Sequence, residues 1–195
     1  MVTIKKRTIK NVFFVFLLVV IAYLFYVWFA GPSYPDINTP KPVFGNPNAA
    51  AKIVEFSDLQ CPACKAANPV VQQIKEEYGD KISFQYYHFP LRSLHPYAQK
   101  AAEAAECAND QGKFWEYLDA AFVKSPNLKK AELKVLAVQV GLNATSFNAC
   151  LDSGAKSKAV EGDYRLGLAK GVEGTPTFFV NGVKMQGWSY EAFAD

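Results

Sequence analysis

Cys61-Pro62-Ala63-Cys64 stands where a β-rich stretch meets a helical one, and that junction restricts the fold more than any other feature of the chain. Lys52 to Phe56 (KIVEF) is short and mostly apolar, the pattern of a buried strand. From Pro62 to Tyr78 the residues Val70, Val71, Ile74 and Tyr78 recur at helical spacing, and Gly79-Asp80 stops the run. A strand ending before Cys61 and a helix starting at Pro62 put the first sulfur at a helix N-terminus. Orphan N–H groups and the helix dipole favour a thiolate there. Proline at the first helical position loses nothing, because its missing N–H would have had no partner.

A C-x-x-C pair has three meanings: half a zinc site, a structural disulfide or a redox dithiol. Tetrahedral zinc needs a second ligand pair at matching spacing. Cys107 and Cys150 lie 43 residues apart, and neither His88 nor His95 belongs to an H-x₃₋₅-H pair. No metal is therefore expected. The redox reading has a mechanism: lowering a thiol pKa from about 8.5 to about 5 stabilises the thiolate by roughly 5 kcal/mol. The reduced form gains that energy, which makes the disulfide a better oxidant. Cys61 is expected to form the mixed disulfide with a partner, and Cys64, one turn further in, to resolve it. Pro62 and Ala63 bring no charge or imidazole, so the lowering is expected to come mainly from backbone and to be less extreme than with a histidine in the pair.

Val12 to Ala30 (VFFVFLLVVIAYLFYVWFA) carries no charged or amide side chain. As a helix these residues span about 28 Å, close to the hydrocarbon thickness of a bilayer. Lys5, Lys6, Arg7 and Lys10 precede the stretch, and no acidic residue occurs before Gly31, which predicts a cytoplasmic N-terminus and an outward-facing remainder. A cleaved signal peptide is the main rival; its apolar region is usually shorter and its cleavage site small-x-small, whereas Trp28 stands three positions before the best candidate cut. A buried core helix is the third reading. Without the basic tail, charge is nearly balanced, and no nucleic-acid footprint results.

The chain thus divides into a basic tail (1–11), a signal anchor (12–30), a linker (31–48) containing Pro32, Pro35, Pro40, Pro42 and Pro47, and a folded domain (49–195). In that domain Ile82 to Tyr87 alternates as a strand should. His95-Pro96 opens an Ala-rich helix, and a block of helices runs to about Lys170. Thr177 to Val180 is a strand, Asn181-Gly182 a hairpin turn, Val183 to Gln186 the return strand, and Ser189 starts a last helix. The order is β-α-β, a helical block, β-β, then α.

Three segments in this order, VEFSDLQCPAC, HFPLRSLHPYAQKAAEAAECANDQGKFWEY and GVEGTPTFFVNG, resemble the DsbA-like branch of the thioredoxin superfamily over about residues 45–193. The resemblance implies an α/β thioredoxin fold with an inserted helical subdomain at about 95–170, here preceded by an N-terminal transmembrane helix. It carries three assignments onto this chain. Cys61 and Cys64 match the redox pair. Thr175-Pro176 matches the loop whose cis-proline faces the active disulfide and offers backbone to a substrate strand, with Pro62 and Ala63 on the same surface. Glu55 matches the buried acid that relays a proton to or from Cys64; the bland alternative is an ordinary charge on an edge strand.

In an oxidising compartment Cys107 and Cys150 are expected to pair, as in some relatives of this branch, the alternative being two buried thiols. His88 and His95 read as structural or capping residues, Phe114, Trp115 and Tyr117 as core, and Asn143 or Thr145 as a helix cap. The resemblance implies a dithiol oxidase that needs no cofactor besides its own disulfide. Its partners would be reduced secreted or membrane proteins and a membrane reoxidising protein of the DsbB or VKOR type. Reductase or isomerase activity and a non-catalytic binding module are the alternatives. Isomerases of the superfamily carry a dimerisation domain for which the linker leaves no room.

Overall fold

The structure, a computed structural model, describes residues 16–22, 25 and 41–194. The chain divides into two units, 1–38 and 39–195. In the first, residues 16–22 and 25 are helical and mostly exposed. The expected anchor at 12–30 lies for the most part outside the described residues, and no helix among the described residues is long and apolar enough to cross a membrane.

The second unit is built on one five-stranded sheet. Its strands are β1 (Val43–Gly45), β2 (Ala51–Ser57), β3 (Ile82–His88), β4 (Thr177–Val180) and β5 (Val183–Lys184), in the spatial order β1-β3-β2-β4-β5. β2 lies in the centre, parallel to β3 and antiparallel to β4. The β2–β3 crossover is helix α1 (Pro62–Tyr78), followed by one 3₁₀ turn (Gly79–Lys81). Between β3 and β4 run α2 (Ala98–Asn109), α3 (Phe114–Lys124), α4 (Lys130–Gln139), α5 (Ala144–Ser153) and α6 (Ser157–Ala169); α7 (Tyr190–Ala194) closes the described chain. This is the expected thioredoxin fold with a helical insertion.

Period-two alternation sorts the central strands onto two cores. Ile53, Phe84 and Tyr86 face the larger core, with Cys64, Ala67, Val71 and Ile74 of α1 and the apolar faces of the insertion. Phe56 and Phe179 face the smaller one, with Phe89 and Val172. α6 approaches that second face closely because residue 167 is glycine: a Cβ there would stand 2.5 Å from the Phe89 ring. The alanines of α2 do comparable work on the first side. Ala101, Ala104, Ala105 and Ala108 are fully buried, and small side chains let α3, α5 and α6 pack against one helix.

Three boundaries differ from expectation. Val43–Gly45, expected in the linker, pairs antiparallel with β3 as an edge strand, so the folded unit begins before residue 49. The helix expected from His95 begins at Ala98, because Leu94 N and His95 N both bond to Leu91 O and form a turn first. The return strand is only Val183–Lys184. The hairpin turn is as expected, with positive φ at both Asn181 and Gly182.

Candidate active site

Cys61 is the N-cap residue of α1, with Pro62 in the first turn and no side-chain cap. Cys64 follows on the buried stripe of the same helix and is fully buried, while Pro62 and Ala63 are exposed. The two cysteines are unbridged. The Cys61 thiol points at the Thr175 carbonyl oxygen, 3.5 Å away across 114 residues of chain. Thr175–Pro176 is a cis peptide bond and leads directly into β4. The loop from the far end of the domain thereby meets the helix start, and the residues expected at the redox pair and at the substrate loop come together.

Electrostatics separate the two thiols. A hydrogen bond from the Cys64 thiol, and smaller contributions from the Thr175 hydroxyl and the N–H groups of Cys64 and Ala63, outweigh burial and bring Cys61 down to about 5. Burial and that same bond push Cys64 far up. The backbone, expected as the main source of the lowering, ranks behind the side chains of Cys64 and Thr175. The reason is that a buried thiol keeps its proton and can donate it to a neighbouring sulfur anion, a charge-assisted bond. The pair is therefore asymmetric: an ionised outer sulfur and a protonated inner one.

Glu55 stands on central β2, in register with Tyr86 of β3 and Phe178 of β4, and is 3% exposed; it is no edge-strand charge. Burial raises its carboxyl to about 7, against the Ser57 hydroxyl and the charge of Lys75. Lys75 lies in the interior of α1, with Nζ 4.6 Å from the ring centroids of both Phe44 and Trp115. Burial lowers its pKa, against the opposing charges of Asp119 and Glu55. Lys75 was not anticipated from sequence, although the signal was present: it follows Val71 by four residues and so lies on the buried stripe.

Asp58 and His95 form a second unanticipated group beside the cysteines. The buried Asp58 carboxylate accepts hydrogen bonds from Gln60 N (2.7 Å), Leu91 N (2.8 Å) and His95 Nδ1 (2.8 Å). Its backbone N–H donates to Cys64 Sγ at 3.4 Å, and its carbonyl accepts from Cys61 N at 3.0 Å. His95 is thus no cap, since Tyr97 holds the N-cap position of α2.

Cys107 of α2 and Cys150 of α5 are joined, with Cα atoms 5.9 Å apart, and tie the insertion together away from the redox pair in sequence. One group among the described residues has metal-ligand composition: His88, Glu106 and Asp163, all buried. Its centre holds a cation of the chain's own. Lys41 Nζ lies 2.6 Å from both Glu106 Oε1 and Asp163 Oδ2, and His88 Nε2 stands 3.4 Å from Glu106. Burial disfavours the Glu106 carboxylate, but His88 and Lys41 hold it at about 2. The two carboxylates raise Lys41 in turn, against burial.

A thioredoxin family (Thioredoxin_4) matches residues 38–195. The chain belongs to this family. Among solved structures it is similar to oxidised BdbD of Bacillus subtilis, at 25% identity and a TM-score of 0.72 over 79% of this chain and 89% of that one. It is also similar to alpha-DsbA1 of Wolbachia pipientis, at 25% identity and a TM-score of 0.68 over 80% and 88%. The molecule is a DsbA-like oxidoreductase of the thioredoxin superfamily. Its similarity to the Na(+)/H(+) antiporter NhaA 3 of Salinispora tropica is 37% identity over 145 residues, 74% of this chain. The chain spans only 22% of that antiporter's length.

Proposed function

We propose that this DsbA-like chain is a dithiol oxidase acting on translocated proteins, with Cys61 as the sulfur that exchanges with substrate. The observation that carries the reading is the placement of the pair: Cys61 caps the start of α1 and faces the Thr175 carbonyl at 3.5 Å, and Cys64 is fully buried one turn further in, which brings Cys61 down to about 5 and pushes Cys64 up. A thiolate stabilised in the reduced form makes the disulfide a stronger oxidant.

The reaction then runs in two displacements. A substrate thiolate attacks Cys61 Sγ; the Cys61–Cys64 bond breaks and its electron pair leaves on Cys64, which takes up a proton. A second substrate thiolate attacks the substrate sulfur of the mixed disulfide. A substrate disulfide forms, and Cys61 leaves as the thiolate. Two electrons have passed to the enzyme. Where the second thiolate is slow, Cys64 can return to Cys61 and release the substrate unchanged. Glu55, near neutrality, is suited to hand Cys64 its proton and to take it back. The Thr175 carbonyl beside Cys61, with the exposed Pro62 and Ala63, would align the substrate strand.

Reoxidation would fall to a membrane protein of the DsbB or VKOR type, and the apolar stretch 12–30 would hold the domain at the outer face of the cell membrane. A membrane setting is supported by that stretch and by the antiporter relatives, in which the matching segment is part of a much longer chain.

Equilibration of the protein with glutathione buffers tests the direction. A potential well above the cytosolic glutathione poise of about −240 mV, and short of the most oxidising members at about −120 mV, is expected; one near the glutathione poise assigns a reductase instead. Cys61→Ser should abolish turnover of a reduced protein substrate, and retained activity removes Cys61 as the exchanging sulfur.

A further inference from the structure

We propose that His95 is a positioning residue for the inner sulfur: through Asp58 it holds the peptide N–H that meets Cys64 whenever the redox bond opens or closes. The inference rests on the exchange reading above and extends it to residues outside the C-x-x-C pair and the Thr175-Pro176 loop.

Asp58 stands between the two cysteines through its main chain, and its side chain decides where that main chain lies. The Gln60 N–H closes a local turn on Oδ1. Leu91 N and His95 Nδ1 both reach Oδ2 from the segment leading into the insertion. The Asp58 side chain is wholly buried and that of His95 16% exposed, so water competes weakly for the bond. A buried carboxylate bonded to three donors is held from three directions, and bonds to a charged acceptor are stronger than neutral ones. The consequence falls on one atom. The Asp58 N–H, 3.4 Å from Cys64 Sγ, is aimed at the sulfur that receives the electron pair when a thiolate attacks Cys61. Burial opposes charge on Cys64, so a fixed donor lowers the barrier in both directions. Cys61 draws its stabilisation chiefly from Cys64, Thr175 and Ala63.

The test uses the full chain with glutathione as probe. Two rates are measured by acid quench and mass analysis: opening of the Cys61–Cys64 bond by reduced glutathione, and closure from the Cys61–glutathione mixed disulfide. His95→Ala is expected to slow both about tenfold, equivalent to about 1.4 kcal/mol of barrier, with the Cys61 thiolate titration unmoved. His95→Asn, whose side-chain amide can donate from the place of Nδ1, should regain most of the rate. Asp58→Asn, whose amide must set its NH2 against either Gln60 N or the Leu91 N and His95 pair, should slow both rates as well. The double variant should be no slower than the slower single one, because the two residues act as a unit.

A folded His95→Ala protein with wild-type rates overturns the proposal. So does slowing that His95→Asn does not relieve, or slowing that follows a shifted Cys61 titration. If His95→Ala fails to fold by circular dichroism, His95→Asn and Asp58→Asn decide: both near wild type overturns the proposal, and a slow Asp58→Asn beside a fast His95→Asn supports it. A wild-type protein inert to glutathione overturns the exchange reading itself, and this proposal with it.

Discussion

Lys75 Nζ lies 4.6 Å over the Trp115 ring inside the domain, and its charge bears on Glu55, the buried acid of the central strand. The ammonium is held by aromatic faces and by the charges of Asp119 and Glu55, so it acts on the acid as a fixed field.

Lys75→Met removes that field and keeps most of the volume. Glu55, already raised to about 7 by burial, loses the charge that lowers it and should rise further. The limb of the pH–rate profile belonging to Glu55 should move to higher pH. An unchanged limb would detach Lys75 from Glu55.

Glu55 also makes a prediction about stability, with a sign opposite to that of most carboxylates. Its folded pKa of about 7 exceeds the ordinary 4.5, so the folded state holds a proton that the unfolded chain has released. The group favours folding below about 4.5, and that contribution is lost as pH rises to about 7, a difference of about 3 kcal/mol at 1.36 kcal/mol per pKa unit. Glu55→Gln should therefore raise the thermal midpoint at pH 8 relative to wild type, with little gain at pH 4. Equal effects at both pH values would contradict this.

Lys41 neutralises two buried carboxylates at 2.6 Å each. Lys41→Met leaves those charges without the ammonium between them and should destabilise by about 3–5 kcal/mol at neutral pH. Glu106, held at about 2 in the folded protein, contributes stability above its unfolded pKa that is lost as pH falls toward 2. With Lys41 gone that contribution shrinks, so the deficit of the variant, read from urea unfolding, should narrow between pH 7 and pH 4.

Cys107–Cys150 closes a loop of 43 residues in the insertion. Replacing both by serine should cost about 4 kcal/mol on the chain-entropy account. Because Cys61 draws its lowering chiefly from Cys64, Thr175 and Ala63, it should titrate as in wild type. Loss of stability is measured by denaturant unfolding and the titration by ultraviolet absorbance.

Local chemistry made the strand–cysteine–helix junction, the helical insertion and the Asn181-Gly182 hairpin legible in the sequence. Each depends on a few adjacent residues with period 2, period 3.6 or a required positive φ. β1 was not legible, because three residues among prolines gain strand geometry only by pairing with β3 some 40 residues later. Asp58 and His95 lie 37 residues apart and Lys41 lies 122 from Asp163, and no periodicity links side chains that meet only in the folded chain. The dominance of Cys64 over the backbone in setting Cys61 was hidden for a related reason: it depends on how deeply the inner thiol is buried.

The account centres on an outer sulfur that is ionised at neutral pH beside an inner one that is not. Ultraviolet titration of the reduced protein, with Cys64→Ala alongside, tests this directly. The wild-type Cys61 thiolate should appear with a midpoint near 5, and Cys64→Ala, lacking the main donor, should titrate distinctly higher. A wild-type midpoint near the ordinary cysteine value of about 8.5 would contradict the account.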